Sequence, residues 1–353
     1  MRSFRSISDI AWRFLVIAAA VALIVYVVIR LKIVVLPLGV ALLLSTFLAP
    51  LVGWLSNRGL RRGLATAAVF LGFLAVLTGI VVLIAPPVGD QFGDLAETVS
   101  QGVTNIENWL VDGPLDLTAQ QVDDYREQIV EYMRRAARSS SGQIIAGAVV
   151  VAEVLTGMIL TLLATLFILK DGPKMQRWIL GKVPADRREV VSACSARAWG
   201  ALGGFLRGAA LLGLVEGTII AIALAIVGAD LAVPVGILTF FAAFFPVLGA
   251  IVAGIVAVLV ALVSGGFADA AVIAIVALVV QQFDNDLLAP VIYGRALQLH
   301  PLVVVSALTA GGSLGGIIGA FIAVPVTAMV VAVSAELWSR REDAEPLESA
   351  AEP

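Results

Sequence analysis

Five of the six residues from Gln281 to Asp286 carry an amide or a carboxylate: Gln281, Gln282, Asp284, Asn285 and Asp286. The row closes an apolar run from Phe267 to Val280 and precedes Pro290, Tyr293, Gly294, Arg295, His300 and Pro301. Amides donate and accept, and carboxylates accept or exchange a proton. Such a row can therefore coordinate a polyhydroxylated solute, a cation or a proton, or simply cap a helix in interfacial water. Glu216 lies inside another apolar stretch, one that begins beside Arg207. An ionisable group at membrane depth is costly, which makes Glu216 and Arg207 candidates for a coupling charge or a structural one. Nine residues, about two and a half turns, separate them, so they face opposite sides of a straight helix and each needs another partner. On the same helix, Gly200, Gly204 and Gly208, then Gly213 and Gly217, recur at four-residue spacing, which favours close helix packing over a ligand role.

Other chemistries drop out. The only cysteine is Cys194 and the only histidine is His300, which leaves no disulfide framework, no Cys/His zinc site and no expected metal or cofactor. Gly311-Gly312-Ser313-Leu314-Gly315 fits a nucleophile-elbow pattern, but that motif works only on a strand-to-helix turn with a histidine base, and this run is a membrane segment. No Walker loop or dinucleotide fingerprint is present, so the chain is not read as an enzyme or an ATP-driven pump. A net charge of −3 argues against nucleic acid as a partner.

The elements that must position these residues lie in lipid. Of 353 residues, 60% are hydrophobic and 14% charged, too apolar for a water-soluble fold of this size to cover. Eight stretches are long enough to be considered as crossings: Trp12 to Ile29, Ile33 to Leu55, Leu64 to Ala85, Ile144 to Leu169, Gly208 to Val227, Leu231 to Val263, Phe267 to Val280, and Leu302 to Leu337. Leu231 to Val263 has 33 residues, close to 50 Å as one helix, and Leu302 to Ser334 is as long. Each is interrupted near its middle, the first by Pro246-Val247-Leu248-Gly249 and the second by Gly311 to Gly316. Proline removes a backbone donor and glycine permits a reversal, so each stretch can double back. The expected fold is an all-α polytopic membrane protein with six full transmembrane helices and two re-entrant helical hairpins, eight transmembrane helices being the alternative. Non-helical backbone at that depth must line protein or a wet cavity, which brings Pro246, Gly249, Gly311, Gly312 and Ser313 into the candidate site with the polar row.

Arg58, Arg61 and Arg62, and the basic stretch Lys170 to Arg207, belong to the cytoplasm, whereas Pro86 to Gln143 carries ten acids and four arginines and suits the outer side. The expected organisation is three N-terminal crossings over 1–85, an outer segment of amphipathic helices over 86–143, a fourth crossing and basic linker over 144–207, a unit of two helix-plus-hairpin repeats over 208–338, and a disordered acidic tail over 339–353. Both termini are expected inside.

Over most of the chain the order of features resembles the AI-2E (autoinducer-2 exporter) transporters, also described as PerM-like permeases. The likeness is carried by Pro50-Leu51-Val52 through Arg58-Gly59 and Arg62; Phe167-Ile168-Leu169-Lys170-Asp171-Gly172; Phe245-Pro246-Val247-Leu248-Gly249; Gln282-Phe283-Asp284-Asn285-Asp286-Leu287-Leu288-Ala289-Pro290; Leu299-His300-Pro301-Leu302; and the glycines from Gly311 to Gly319, with Ala323-Val324-Pro325. Where the family usually has Glu, this chain has the shorter Asp284. The resemblance implies a bacterial inner-membrane protein with two hairpins, assembled as a homo-oligomer, a pentamer. The chain is read as a secondary transporter exporting a small polar molecule such as autoinducer-2 by an elevator-like or rocking mechanism, with Asp284 or Asp286 able to couple to protons. Sodium or lithium/proton antiport is the alternative, and a membrane scaffold that transports nothing is the third.

Overall fold

The computed structural model describes residues 31–92, 144–246, 248–284 and 300–349, with a few helical positions between 12 and 30. The amphipathic outer helices, and with them Asn285 and Asp286, lie outside the described residues. In chain order the helices are α1 (Lys32–Asn57), α2 (Arg62–Phe92), α3 (Ile144–Lys182), α4 (Arg188–Ile226), α5 (Ala232–Ala242), α6 (Leu248–Gly265), α7 (Phe267–Phe283) and α8 (Pro301–Ser349). No strand occurs among the described residues, and six of the helices are long and apolar enough to cross a membrane. Those six include α6 and α8, cut from the two long apolar stretches, whereas α7 falls just short. The basic stretch Lys170 to Arg207 takes in the end of α3 and the first half of the continuous 39-residue α4, which no proline interrupts. The acidic tail prolongs α8 to Ser349, as Ala, Glu and Arg favour propagation of a helix already nucleated by packing.

α1 and α3 run parallel, joined by Thr161 Oγ1 donating to the Pro37 carbonyl at 3.3 Å and by Ser45 near Thr165. α4 returns antiparallel to both. Proline shapes this core in a repeated way. Pro173 in α3 cannot donate to the Leu169 carbonyl, four residues earlier, and Arg62 donates to it instead, Nη2 at 3.1 Å. Pro50 in α1 likewise leaves the Thr46 carbonyl unpaired by its helix, and Arg207 Nη1 donates there at 3.4 Å. Gly203 makes the room, since a methyl on it would lie 2.7 Å from that guanidinium nitrogen.

Both long apolar stretches reverse. α5 ends at Ala242 and α6 begins at Leu248, with Gly249 N–H donating to the Phe245 carbonyl at 2.8 Å and no space for a side chain between Gly249 and the Ala242 carbonyl. α8 breaks at Gly315 and Gly316, whose φ of +61° suits glycine. A methyl on Gly311 would lie 2.6 Å from the Ala323 Cβ. In an unbroken helix those residues would be about 18 Å apart, so the two arms of α8 lie side by side.

α5 descends along α4 with glycine against glycine. Gly217 and Gly236 touch backbone to backbone, and Gly213 meets Phe240. Gly200 and Gly204, the other end of the expected row, face open space: a methyl on either would meet nothing within 4 Å. Ile220 and Leu224 of α4 share a buried cluster with Val235 of α5, Ala257 and Ala261 of α6, and Ile273 of α7. A second cluster joins Leu43, Leu202, Phe205 and Leu206 to Leu308 and Val324, one residue from each arm of α8.

Candidate functional site

The helix register fixes the depth of the site. Glu216 is ten residues before the end of α4, about 15 Å along its axis. α5 enters from that same end and, with 11 residues, descends about 16 Å before it turns. The second reversal comes from the other end. Val324 packs with Phe205, and the break at Gly315 is nine residues, about 13 Å, beyond it. Glu216 is eleven residues beyond Phe205, about 16 Å, so the second break lies within about one helical turn of its level, while the contact of Gly213 with Phe240 puts the first tip about two turns from it, toward Phe205.

At that level a cavity of about 860 Å³ is bounded by α4, α6, α7, the first tip and both arms of α8. Glu216 is 7% exposed and Asp284 8%. Their carboxyl groups come within hydrogen-bonding reach of each other, 68 residues apart in sequence. Carboxylates only accept, so this contact needs either a proton held on one carboxyl or a cation between them. Asp284 Oδ1 has no hydrogen-bond partner among the described residues. Gln281 lines the cavity beside the pair, one turn earlier on α7.

Of the sequence candidates, Glu216, Gln281, Asp284 and Pro246 meet in this cavity. Gln282 is exposed and does not line it, as expected for a residue one step around the helix. Gly249 supports the first tip from behind, against Ala242. Gly311, Gly312 and Ser313 form the second tip away from the cavity, where Gly315 faces Leu36 of α1 and the exposed Ser313 hydroxyl donates to the Ala310 carbonyl at 2.8 Å. The second hairpin reaches the cavity through its arms, at Val304 and Val324. Arg207 is spent on the Thr46 carbonyl.

Sequence reasoning missed the seam between the hairpins. Phe245 of the first tip stacks near Phe321 of α8, centroids 5.8 Å apart, and Phe244 lies 6.2 Å from the same ring. Phe240 extends the group, 5.6 Å from Phe244. The signal was the Phe240-Phe241-Ala242-Ala243-Phe244-Phe245 run immediately before the proline. The proline-to-arginine contacts were also readable in principle, as a freed carbonyl four residues before each proline.

A family model described as AI-2E family transporter matches residues 14–338. A Mycobacterium tuberculosis protein that carries a provisional transport-protein name is 35% identical over 318 residues, covering 90% of this chain and 87% of that protein. The provisionally named permease PerM of Escherichia coli K12 is 27% identical over 305 residues, covering 83% and 85%. A sodium-lithium/proton antiporter of Halobacillus andaensis is 23% identical over 329 residues, covering 90% and 92%.

Proposed function

This chain belongs to the AI-2E family of membrane transporters, and from that premise we propose that it is a secondary transporter whose two re-entrant hairpins enter from opposite faces and meet at a binding site near the bilayer midplane. The solute is a small polar molecule, autoinducer-2 being the case the resemblance suggests, and its direction is outward. Glu216, Gln281 and Asp284 hold it, and Pro246 closes over it. Asn285 and Asp286 continue the polar row, while Gly249, Gly311, Gly312 and Ser313 shape the two turns. Alternating access follows from an elevator-like shift of the hairpins with α4 and α7 against α1 to α3. The termini are cytoplasmic, the membrane is the bacterial inner membrane, and the protein works as a homo-oligomer, a pentamer by resemblance.

The observation that carries this reading is the convergence, beside Glu216 of α4, of the first tip with three polar residues from two helices. Transport needs a site reachable from both sides, and a midplane pocket between opposed broken helices is the arrangement that secondary carriers use. The test is solute flux in proteoliposomes under an imposed proton or sodium gradient. Asp284→Asn, at normal expression, is expected to abolish flux, and unchanged flux would remove Asp284 from the mechanism.

A second reading, cation/proton antiport, is favoured by the Glu216–Asp284 contact itself and by the named activity of the Halobacillus relative. It predicts a sodium-dependent pH change in vesicles that is lost in Glu216→Gln and Asp284→Asn, with no movement of an organic solute.

A further inference from the structure

The cavity is far larger than its polar corner. Glu216, Gln281 and Asp284 occupy one part of about 860 Å³, and Leu212, Ile251, Ile255, Leu259 and Leu278 wall much of the rest. A sodium ion or a compact polyol would leave water standing against those apolar side chains, which is unfavourable. The volume falls in the range of about 300–1,000 Å³ that encloses a drug-sized organic molecule.

Charge narrows the class further. α4 contributes Glu216 and α7 contributes Gln281 and Asp284. α5 and α6 contain no ionisable residue, α8 presents Val304 and Val324, and Arg207 is held on the Thr46 carbonyl. Asp269, the other acid of α7, is fifteen residues from Asp284 at the opposite end of the helix. Among the described residues, then, two carboxyls face the cavity with no cation opposite them, and one buried oxygen, Asp284 Oδ1, has no partner. Building on the transport reading above, we infer that the substrate is an amphiphilic organic monocation, its charged head between Glu216 and Asp284 and its apolar body along α6.

The exchange balances. With one proton between them the two carboxyls carry a single negative charge. When the monocation binds, that proton leaves to water and the corner keeps the same net charge, so loading a cation and loading a proton are mutually exclusive. Ile251, Ile255 and Leu259 line the cavity and are 53%, 55% and 49% exposed, so the α6 wall is an open apolar face. An amphiphile dissolved in the bilayer reaches the site from there.

The experiment is calorimetric titration of the purified full chain in detergent with tetraphenylphosphonium, sodium chloride or ribose, read in buffers of different ionisation enthalpy to count protons. Tetraphenylphosphonium is expected to bind with release of close to one proton. Glu216→Gln and Asp284→Asn should each weaken it at least tenfold, and Glu216→Asp should restore most of the affinity, which separates a charge role from misfolding. Ile255→Trp should weaken it several-fold by filling the apolar wall. Proton release by sodium alone, equal binding of tetraphenylphosphonium to wild type and the neutral variants, or no binding at all would each overturn the inference. If ribose crosses proteoliposomes in an Asp284-dependent way while tetraphenylphosphonium does not bind, the transport reading stands and this one falls. Binding with proton release but no flux would have the converse meaning.

Discussion

The first hairpin grips α4 backbone to backbone, through Gly213, Gly217 and Gly236, whereas the second packs on it through side chains, Leu308 and Val324 against Leu202, Phe205 and Leu206, with ion pairs at its base. There Glu336 accepts from Arg197 and Arg340, both at 2.9 Å, and Arg340 also pairs with Glu189 at 3.5 Å. The turns differ as well. Phe245 and Pro246 make one, and a glycine of positive φ makes the other. Backbone-to-backbone contact inside lipid leaves no slack, while charged side chains at the aqueous end can part and re-form with water in their place. If the transport reading holds, the first hairpin is expected to move with the carboxyl pair as one rigid piece, and the second is the one whose hold on α4 can be adjusted.

The largest effect should come from wedging the tight contact. A Cβ on Gly236 would lie 2.6 Å from the Ala221 Cβ and 2.7 Å from the Gly217 carbonyl oxygen. Gly236→Val is expected to cost more than about 3 kcal/mol, at or beyond the upper end for overpacking, because backbone cannot step aside. Gly200→Val, on α4 where nothing lies within 4 Å, should be nearly neutral. Thermal melting in detergent, with size-exclusion profiles, checks the pair. Equal tolerance of both would mean that the first hairpin is not gripped as described.

Next comes the second turn. Gly316→Ala places a Cβ on backbone at φ 61° and ψ −147°, a region held essentially by glycine, and should destabilise by about 1–3 kcal/mol. Gly312→Ala, whose Cβ would sit in ordinary contact 3.9 Å from that of Ala320, should change the melting temperature little. If the two behaved alike, the reversal at Gly316 would be in question.

These contrasts also mark what could be read from the chain alone. Both reversals were legible because Pro246 and the Gly311–Gly316 cluster break helix locally, whatever surrounds them. The site was legible only in pieces. Gln281 and Asp284 stood out as polar residues at a helix end, and Glu216 as a charge in lipid, but their meeting depends on how α7 packs on α4, which no local rule encodes. The apolar wall was invisible for the opposite reason: Ile251, Ile255 and Leu259 look like any lipid-facing residues until the cavity behind them is seen. Arg207 invited a functional reading, and its partner was a carbonyl that Pro50 had set free on another helix.

The seam between the hairpins offers a finer test. Phe245 and Phe321 make the nearer of two ring contacts between them, at 5.8 Å and tilted by 49°. A double-mutant cycle with Phe245→Leu and Phe321→Leu should return a coupling of about 0.5–1.5 kcal/mol. Zero coupling would make the seam incidental packing. A coupling present in stability but absent from flux would place the rate-limiting motion elsewhere.

The smallest expected effect separates the two modes of attachment most cleanly. The Arg197 side chain is 68% exposed and that of Glu336 13%, so their pair contributes only about 0.2–1 kcal/mol. Glu336→Gln should lower the melting temperature slightly, and 1 M salt, where screening acts within about 3 Å, should produce much of the same loss in the wild type. Gly236→Val should be indifferent to salt, because no charge takes part in the contact it breaks. If the second hairpin is the adjustable one, Glu336→Gln will alter transport rate by more than its stability change implies. A variant whose rate falls only in proportion to folded protein would return that hairpin to the same rigid body as the first.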